Sequence, residues 1–306
     1  MSYTPSNVVS IFLTEFHPRN GYKLVWSRST IPDFDFTGLD YKSMPSGVHE
    51  YGKSTVLISH TSQDKLYYGI CKFRQHLIGE DTHDRNNIKI YSLGIICQPS
   101  ESLFKPNEFI NNGWEFIGDL DHELLKYLQE QKYEDFAVFE KLFESLCKPS
   151  SNLLPLPNAK PVDVTNHPLT KLPQLFKTFG PLVFVLYKQA LLRKRILIFN
   201  QHHIFHDDED LLPNEDSDLL LNLSTFCYLV SLVSIIPQDI EIASQTYSQP
   251  IYSIGLNDLT GDLVKIDNYI GTTNDDILIE NKVYDIGVMI DDKVTIFPMD
   301  DKNNII

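Results

Sequence analysis

The sequence predicts two α/β modules in series: an antiparallel sheet with flanking helices, then a second module of short buried strands and apolar helices. Three observations predict it. Five β-rich runs crowd into residues 8–98, VVSIFLTEF, YKLVWSR, TVLISHT, LYYGICKFRQ and IKIYSLGIICQ, separated by turn-forming residues. Two helical patterns follow, and then a proline-dense stretch interrupts the chain at residues 148–168. After it, strand, helix, strand order with short apolar strands signals an α/β arrangement.

Each element has a local reason. HPRNG, from His17 to Gly21, joins the first two runs as a hairpin turn. Five strands in a meander is the simplest arrangement of such runs. One helix is expected from Asp121 to Gln131 and another over YEDFAVFEKLFESL, where Phe136, Phe139, Phe143 and Leu146 recur three or four residues apart and form one apolar face. In KPSSNLLPLPNAKPVDVTNHP, the prolines Pro149, Pro155, Pro157, Pro161 and Pro168 each remove a backbone donor and disfavour helix before them, which marks a linker. Beyond it, LVFVLYKQALL reads as an apolar helix running into the cationic RKR and the short strand ILIFN. QHHIFHDDEDLLPNEDSD then places seven acidic residues between Asp207 and Asp218, too much like charge to bury, so it reads as a solvated excursion. PIYSIGLNDLTGD, NYIGTTNDDILIE and VYDIGVMIDD close the chain as strands alternating with turns.

Composition excludes several classes. The 306 residues carry 26 Lys plus Arg against 41 Asp plus Glu, a formal charge of -15, which repels phosphate backbones and argues against nucleic acid as a partner. Cys71, Cys97, Cys147 and Cys227 have no CxxC pairing, which suits a reducing compartment better than a disulfide framework. MSYTPSNVVSIFLTEF lacks a basic segment before its short apolar run and reads as a strand, not a signal peptide. Leu219 to Ile236 just reaches membrane-crossing length, but Asn222, Ser224, Thr225, Ser231 and Ser234 are costly in lipid, so a buried core helix is the preferred reading.

The catalytic motifs are negatives: no GxGxxG, Walker A loop, HExxH, GxSxG or EF-hand pattern occurs. His202, His203 and His206 with Asp207 and Asp208 combine imidazole and carboxylate, yet their spacing matches no established metal site, and neither a metal nor another cofactor is expected. Gly47 and His49 read as turn chemistry rather than a phosphate loop. Arg193, Lys194 and Arg195 form the basic cluster of the second half; they either engage an acidic partner or anionic membrane, or sit as cations at a helix C-terminus. Asn257 and Asp258, in IGLNDL, either place a carboxylate at a strand end, where α/β folds bind ligands, or cap a turn.

In their order and spacing these segments resemble the DENN family, and within it the LCHN-like branch with fungal members. SIFLTEFHPRNGYKLVWSR, LDYKSMPSGVHEY, LYYGICKFRQ and IKIYSLGIICQ are similar to the family's upstream longin-like module. LVFVLYKQALLRKRILIFN, PIYSIGLNDL and YIGTTNDDILIENKVYDIGVMID are similar to its central module. The resemblance implies a longin-like upstream module at residues 1–147, the linker at 148–168 and a central DENN module at 169–306 that is expected to be short at its C-terminal end, since family members continue with a helical downstream portion where this sequence stops at MDDKNNII. It also implies guanine-nucleotide exchange on a Rab-type small GTPase in vesicle traffic, without covalent catalysis, by a cytoplasmic protein with at most peripheral membrane association. Arg193, Arg195, Asn257 and Asp258 are the expected partner contacts, and a non-catalytic scaffold that keeps the fold is the alternative.

Overall fold

The computed structural model describes residues 7–45, 48, 52–78, 87–98, 109, 112–147, 167–200, 219–237, 240, 247–260, 263, 266–273, 276–281, 283–290 and 293–299. The linker at 148–166, the acidic loop with its histidines, and Gly47 and His49 lie outside the described residues. The described chain falls into two compact units, one reaching from Asn7 through Cys147 and including His167, the other taking Phe109 and everything from Pro168 onward.

In the first unit the apolar run of β1 (Asn7–His17) decides the topology. Val8, Val9, Ile11, Phe12 and Leu13 are all buried, so both faces of the strand are covered and it belongs inside a sheet rather than at its edge. β1 pairs antiparallel with β2 (Gly21–Ser29) on one side and with β5 (Ile88–Gln98) on the other. β3 (Lys53–Ser62) and β4 (Lys65–Leu77) complete the sheet in the order β3-β4-β5-β1-β2. The order corrects the simple meander: the five strands are those expected, but β1 leaves its place at the end and takes the position beside β5 that buries it. HPRNG forms the expected hairpin, with Gly21 at φ 71 and the Asn20 amide donating to the His17 carbonyl.

The two faces of this sheet are closed differently. On one, Phe12, Val56, Ile58, Cys71 and Ile96 pack with Phe34 and with Leu39 of the one-turn helix α1 (Leu39–Lys42). A Cβ on Gly94 would collide there with the Phe12 ring and the Cys71 sulfur, so the close approach of these side chains requires glycine. The other face carries α2 (Ile117–Glu130) and α3 (Ala137–Leu146). Arg74 of β4 donates twice to Asp121 of α2, both bonds at 2.7 Å, while Trp26 and Arg28 of β2 both donate to Glu140 of α3. Phe139 of α3 is fully buried against Trp26 and Tyr127, and the other residues of the expected face are half-buried around it.

The second unit is built on parallel pairing. β7 (Gln249–Ser253), β8 (Tyr269–Thr273), β6 (Ile196–Asn200) and β9 (Ile286–Ile290) run parallel, and β10 (Val294–Pro298) adds an antiparallel edge, giving the order β10-β9-β6-β8-β7. β10 has no counterpart in the sequence reading, because VTIFP carries no turn signal strong enough to separate it. Leu197, Phe199, Tyr269, Leu278, Tyr284 and Phe297 form a cluster on one face, while Ile196, Ile198 and Ile270 are also fully buried, so both faces are covered. α4 (Leu172–Phe179) and α5 (Leu182–Leu191) pack on each other and on α6 (Leu219–Val233), which itself packs on β7 and β8. Residues 223–231 of α6 are buried on every side, with Phe226 against Phe179 and Tyr228 against Phe109, which makes it the core helix that its all-round apolar sequence describes. Among the described residues no helix is long and apolar enough to cross a membrane.

All four cysteines are buried thiols and none forms a disulfide; burial pushes Cys147 up to about 12 and raises Cys71 and Cys227 above the ordinary thiol value. The glycine constraint predicts a specific asymmetry. Gly94→Ala should lower stability in urea denaturation by about 1–3 kcal/mol through overpacking. Gly118→Ala, whose Cβ meets nothing within 4 Å, should be neutral or slightly stabilising in α2.

Candidate functional site

Arg193 follows the last turn of α5 in the left-handed conformation, φ 57, the position at which a helix end turns out of its own axis. Its backbone amide donates to the Ala190 carbonyl at 3.1 Å, and its guanidinium reaches the same oxygen at 3.0 Å and the Ser234 carbonyl, just beyond α6, at 3.3 Å. Ser248 joins them: its hydroxyl donates to Ala190 and its amide to the Ser234 hydroxyl. The final carbonyls of two helices, which no residue of their own helix can satisfy, are thus capped together. Burial lowers the Arg193 pKa from its ordinary value.

Arg195 stands two residues on, at the entry to β6. Its Nη2 donates to Asp285 Oδ1 at 2.9 Å and its Nε to Oδ2 at 3.4 Å, while its backbone amide also donates to Oδ2 at 2.9 Å. In return the amides of Asp285 and Ile286 both donate to the Arg195 carbonyl. Side chain and backbone together therefore clip the starts of the adjacent parallel strands β6 and β9. Asp285 shows two opposed influences: burial raises its pKa, but the hydrogen bonds and charge of Arg195 prevail and hold it below the usual carboxylate value. The Asp285 bond correspondingly raises Arg195.

Asn257 and Asp258 occupy a different place, the 3-10 turn Leu256–Thr260 that follows β7. Asp258 Oδ2 accepts the Gly255 amide at 2.9 Å and the Asp258 amide donates back to the Gly255 carbonyl, a side-chain cap of the turn. Because β6, β8 and β7 are parallel, Arg195 precedes the amino end of the sheet while this turn follows a carboxyl end. The structure brings Arg193 near the helix ends and Arg195 to Asp285, and leaves Asn257 and Asp258 at the other end of the strands. Among the described residues, no group of three or more His, Cys, Asp or Glu is placed to hold a metal ion.

The family model of DENN domain-containing protein 11 matches residues 11–299, a span that takes in β2 to β10 whole and β1 from its fifth residue. The chain belongs to the DENN domain-containing protein 11 family. Relatives bearing that name are 27% identical over 63% of this chain in Xenopus laevis and 28% identical over 63% of it in Danio rerio, covering 43% and 38% of those proteins. A Saccharomyces cerevisiae protein, named Uncharacterized protein ANR2, is 26% identical over 94% of this chain and 58% of its own length. The chain thus spans about half the length of the relatives it matches. Within this DENN family chain the sequence reading missed Asp285, although a signal was present: VYDIGVM sets one carboxylate directly before an apolar strand, as RKR sets a cation before ILIFN.

Removing either partner of the clip should cost about 1–2 kcal/mol in denaturation. In a double-mutant cycle of Arg195→Ala and Asp285→Ala the second change should add little to the first. The pH dependence follows in sign: with the folded pKa depressed, the contribution is full above the unfolded value of about 3.9 and is lost as pH falls through the folded value. Asp285→Asn should therefore flatten the acid limb of stability against pH.

Proposed function

We propose that this chain acts as a guanine-nucleotide exchange factor, or a close regulator, for a Rab-type small GTPase in membrane traffic. The observation that carries the reading is the continuous family match over residues 11–299, which includes the strands of both units. In this reading residues 1–147 form a longin-like upstream module and residues 169–306 the DENN module, joined by the linker at 148–168. The protein works in the cytoplasm and is recruited to organelle surfaces.

Exchange of this kind needs no nucleophile. A surface that binds the nucleotide-free GTPase more tightly than the GDP-bound form weakens the GTPase's affinity for GDP by the same factor and so favours its release. The net charge of -15 favours encounter with basic partner surfaces and raises association rate more than affinity. Asn257 and Asp258, on a turn beyond the carboxyl end of a strand, are the proposed contacts at that end, and Arg193 and Arg195 those at the other.

Release of fluorescent GDP from a panel of Rab GTPases tests the proposal. Acceleration of one Rab by the purified chain is expected, and Asp258→Asn should slow it about tenfold if that carboxylate meets the partner. Capture of a nucleotide-free Rab without faster GDP release would assign the chain to an adaptor role instead, and neither response from any Rab would remove the proposal.

A further inference from the structure

The stretch from His167 to Asn200 holds no Asp or Glu, in a chain with 41 of them, and carries Lys171, Lys177, Lys188 and Lys194 in addition to the two committed arginines. α4 and α5 lie within it, and both are apolar on the side that should meet water. On α5, Val183, Leu186 and Ala190 are buried, yet Phe184 is 69% exposed and Tyr187 40% exposed, with Lys188 beside them. Residues 184, 187, 188 and 191 share one helical face, which flanks the buried set. On the α4 side, Leu175 and Phe179 are buried while Leu169, Pro173, Phe176 and Lys177 recur along an exposed stripe. Both helices press their buried faces on α6, so their outer faces point away from it.

Exposed aromatic and leucine side chains interspersed with lysines, in a stretch of sequence without acid in an otherwise acidic protein, match one chemistry in particular. Phenyl and phenol rings insert at the boundary between headgroups and acyl chains, and lysine stems lie along apolar surface while their ammonium groups reach lipid phosphates. We infer that the outer face of α4 and α5, with Phe176, Phe184, Tyr187, Lys177 and Lys188 at its centre, is a docking surface for anionic lipid bilayers. The inference rests on the recruitment to organelle surfaces in the proposed function and supplies its site, while the exchange activity itself concerns a protein partner.

Sedimentation with liposomes tests it. The full chain should bind vesicles of phosphatidylcholine containing phosphatidylserine about tenfold or more tightly than vesicles of phosphatidylcholine alone, and rising salt should reduce the difference. The variants Phe176→Ser with Phe184→Ser, and Lys177→Glu with Lys188→Glu, change exposed positions and should each lose at least about tenfold in binding. A Phe184→Trp variant gives a direct reading: its emission should shift to the blue on addition of anionic vesicles, beyond the background of Trp26 and Trp114 in the parent chain. No sedimentation and no shift at low salt would overturn the assignment. Self-association that Phe184→Ser abolishes, with no lipid binding, would overturn it in favour of an interface between copies.

Discussion

The second unit depends on the register between β6 and β9. Strand β6 lies in the middle of its sheet, with β8 on one side and β9 on the other, and its neighbours are parallel, so no tight hairpin sets their alignment. Arg195 and Asp285 supply what a turn supplies elsewhere: four bonds between two residues that are 90 positions apart in the chain, three ending on the Asp285 carboxylate and one on the Arg195 carbonyl from the Asp285 amide. The Ile286 amide extends the exchange into the first residue of the strand. A slip of one residue would turn Leu197 and Phe199 out of the cluster with Tyr269, Tyr284 and Phe297, which is why a polar clip at the strand entrance governs an apolar core.

The first unit solves its register by local means. Hairpins join β1 to β2 and β3 to β4, and the one long-range choice, β1 beside β5, follows from an apolar run too buried to serve at an edge. Polar bonds then lock the helices to the sheet from Arg74, Trp26 and Arg28. The two units thus use the same kinds of interaction in opposite order, hairpins before ion pairs in one and an ion pair before the strands in the other.

Much of this was legible in the residues. The five strands of the first unit, the two helices after them, α5, α6 and the strands from β6 to β9 follow from periodicity and turn chemistry, and the family resemblance followed from their order. Strand order was not legible, since β1 carries the same apolar run whether it pairs with one neighbour or two until burial is known. Nor was the division of the basic residues. RKR reads as one cationic cluster, yet Arg193 is turned inward to helix carbonyls and Arg195 to a carboxylate, while Lys177, Lys188 and Lys194 stand in solvent. Guanidinium groups offer several donors in a fixed plane and suit capping and bidentate pairing, whereas ammonium groups on flexible stems suit a solvated surface. An exposed Phe184 was illegible for a related reason: a largely apolar helix is read as buried, and its packing partners alone decide which side is left uncovered.

The central claim is that the Arg195–Asp285 clip holds the second unit's parallel sheet in register. Native-state hydrogen exchange on the parent chain and on Asp285→Ala tests it most directly. The account predicts that amides of Ile196 to Phe199 and Ile286 to Val288 lose protection together, while those of β1 and β5 keep theirs. Unchanged protection in β6 and β9, or an equal loss throughout both sheets, would contradict it.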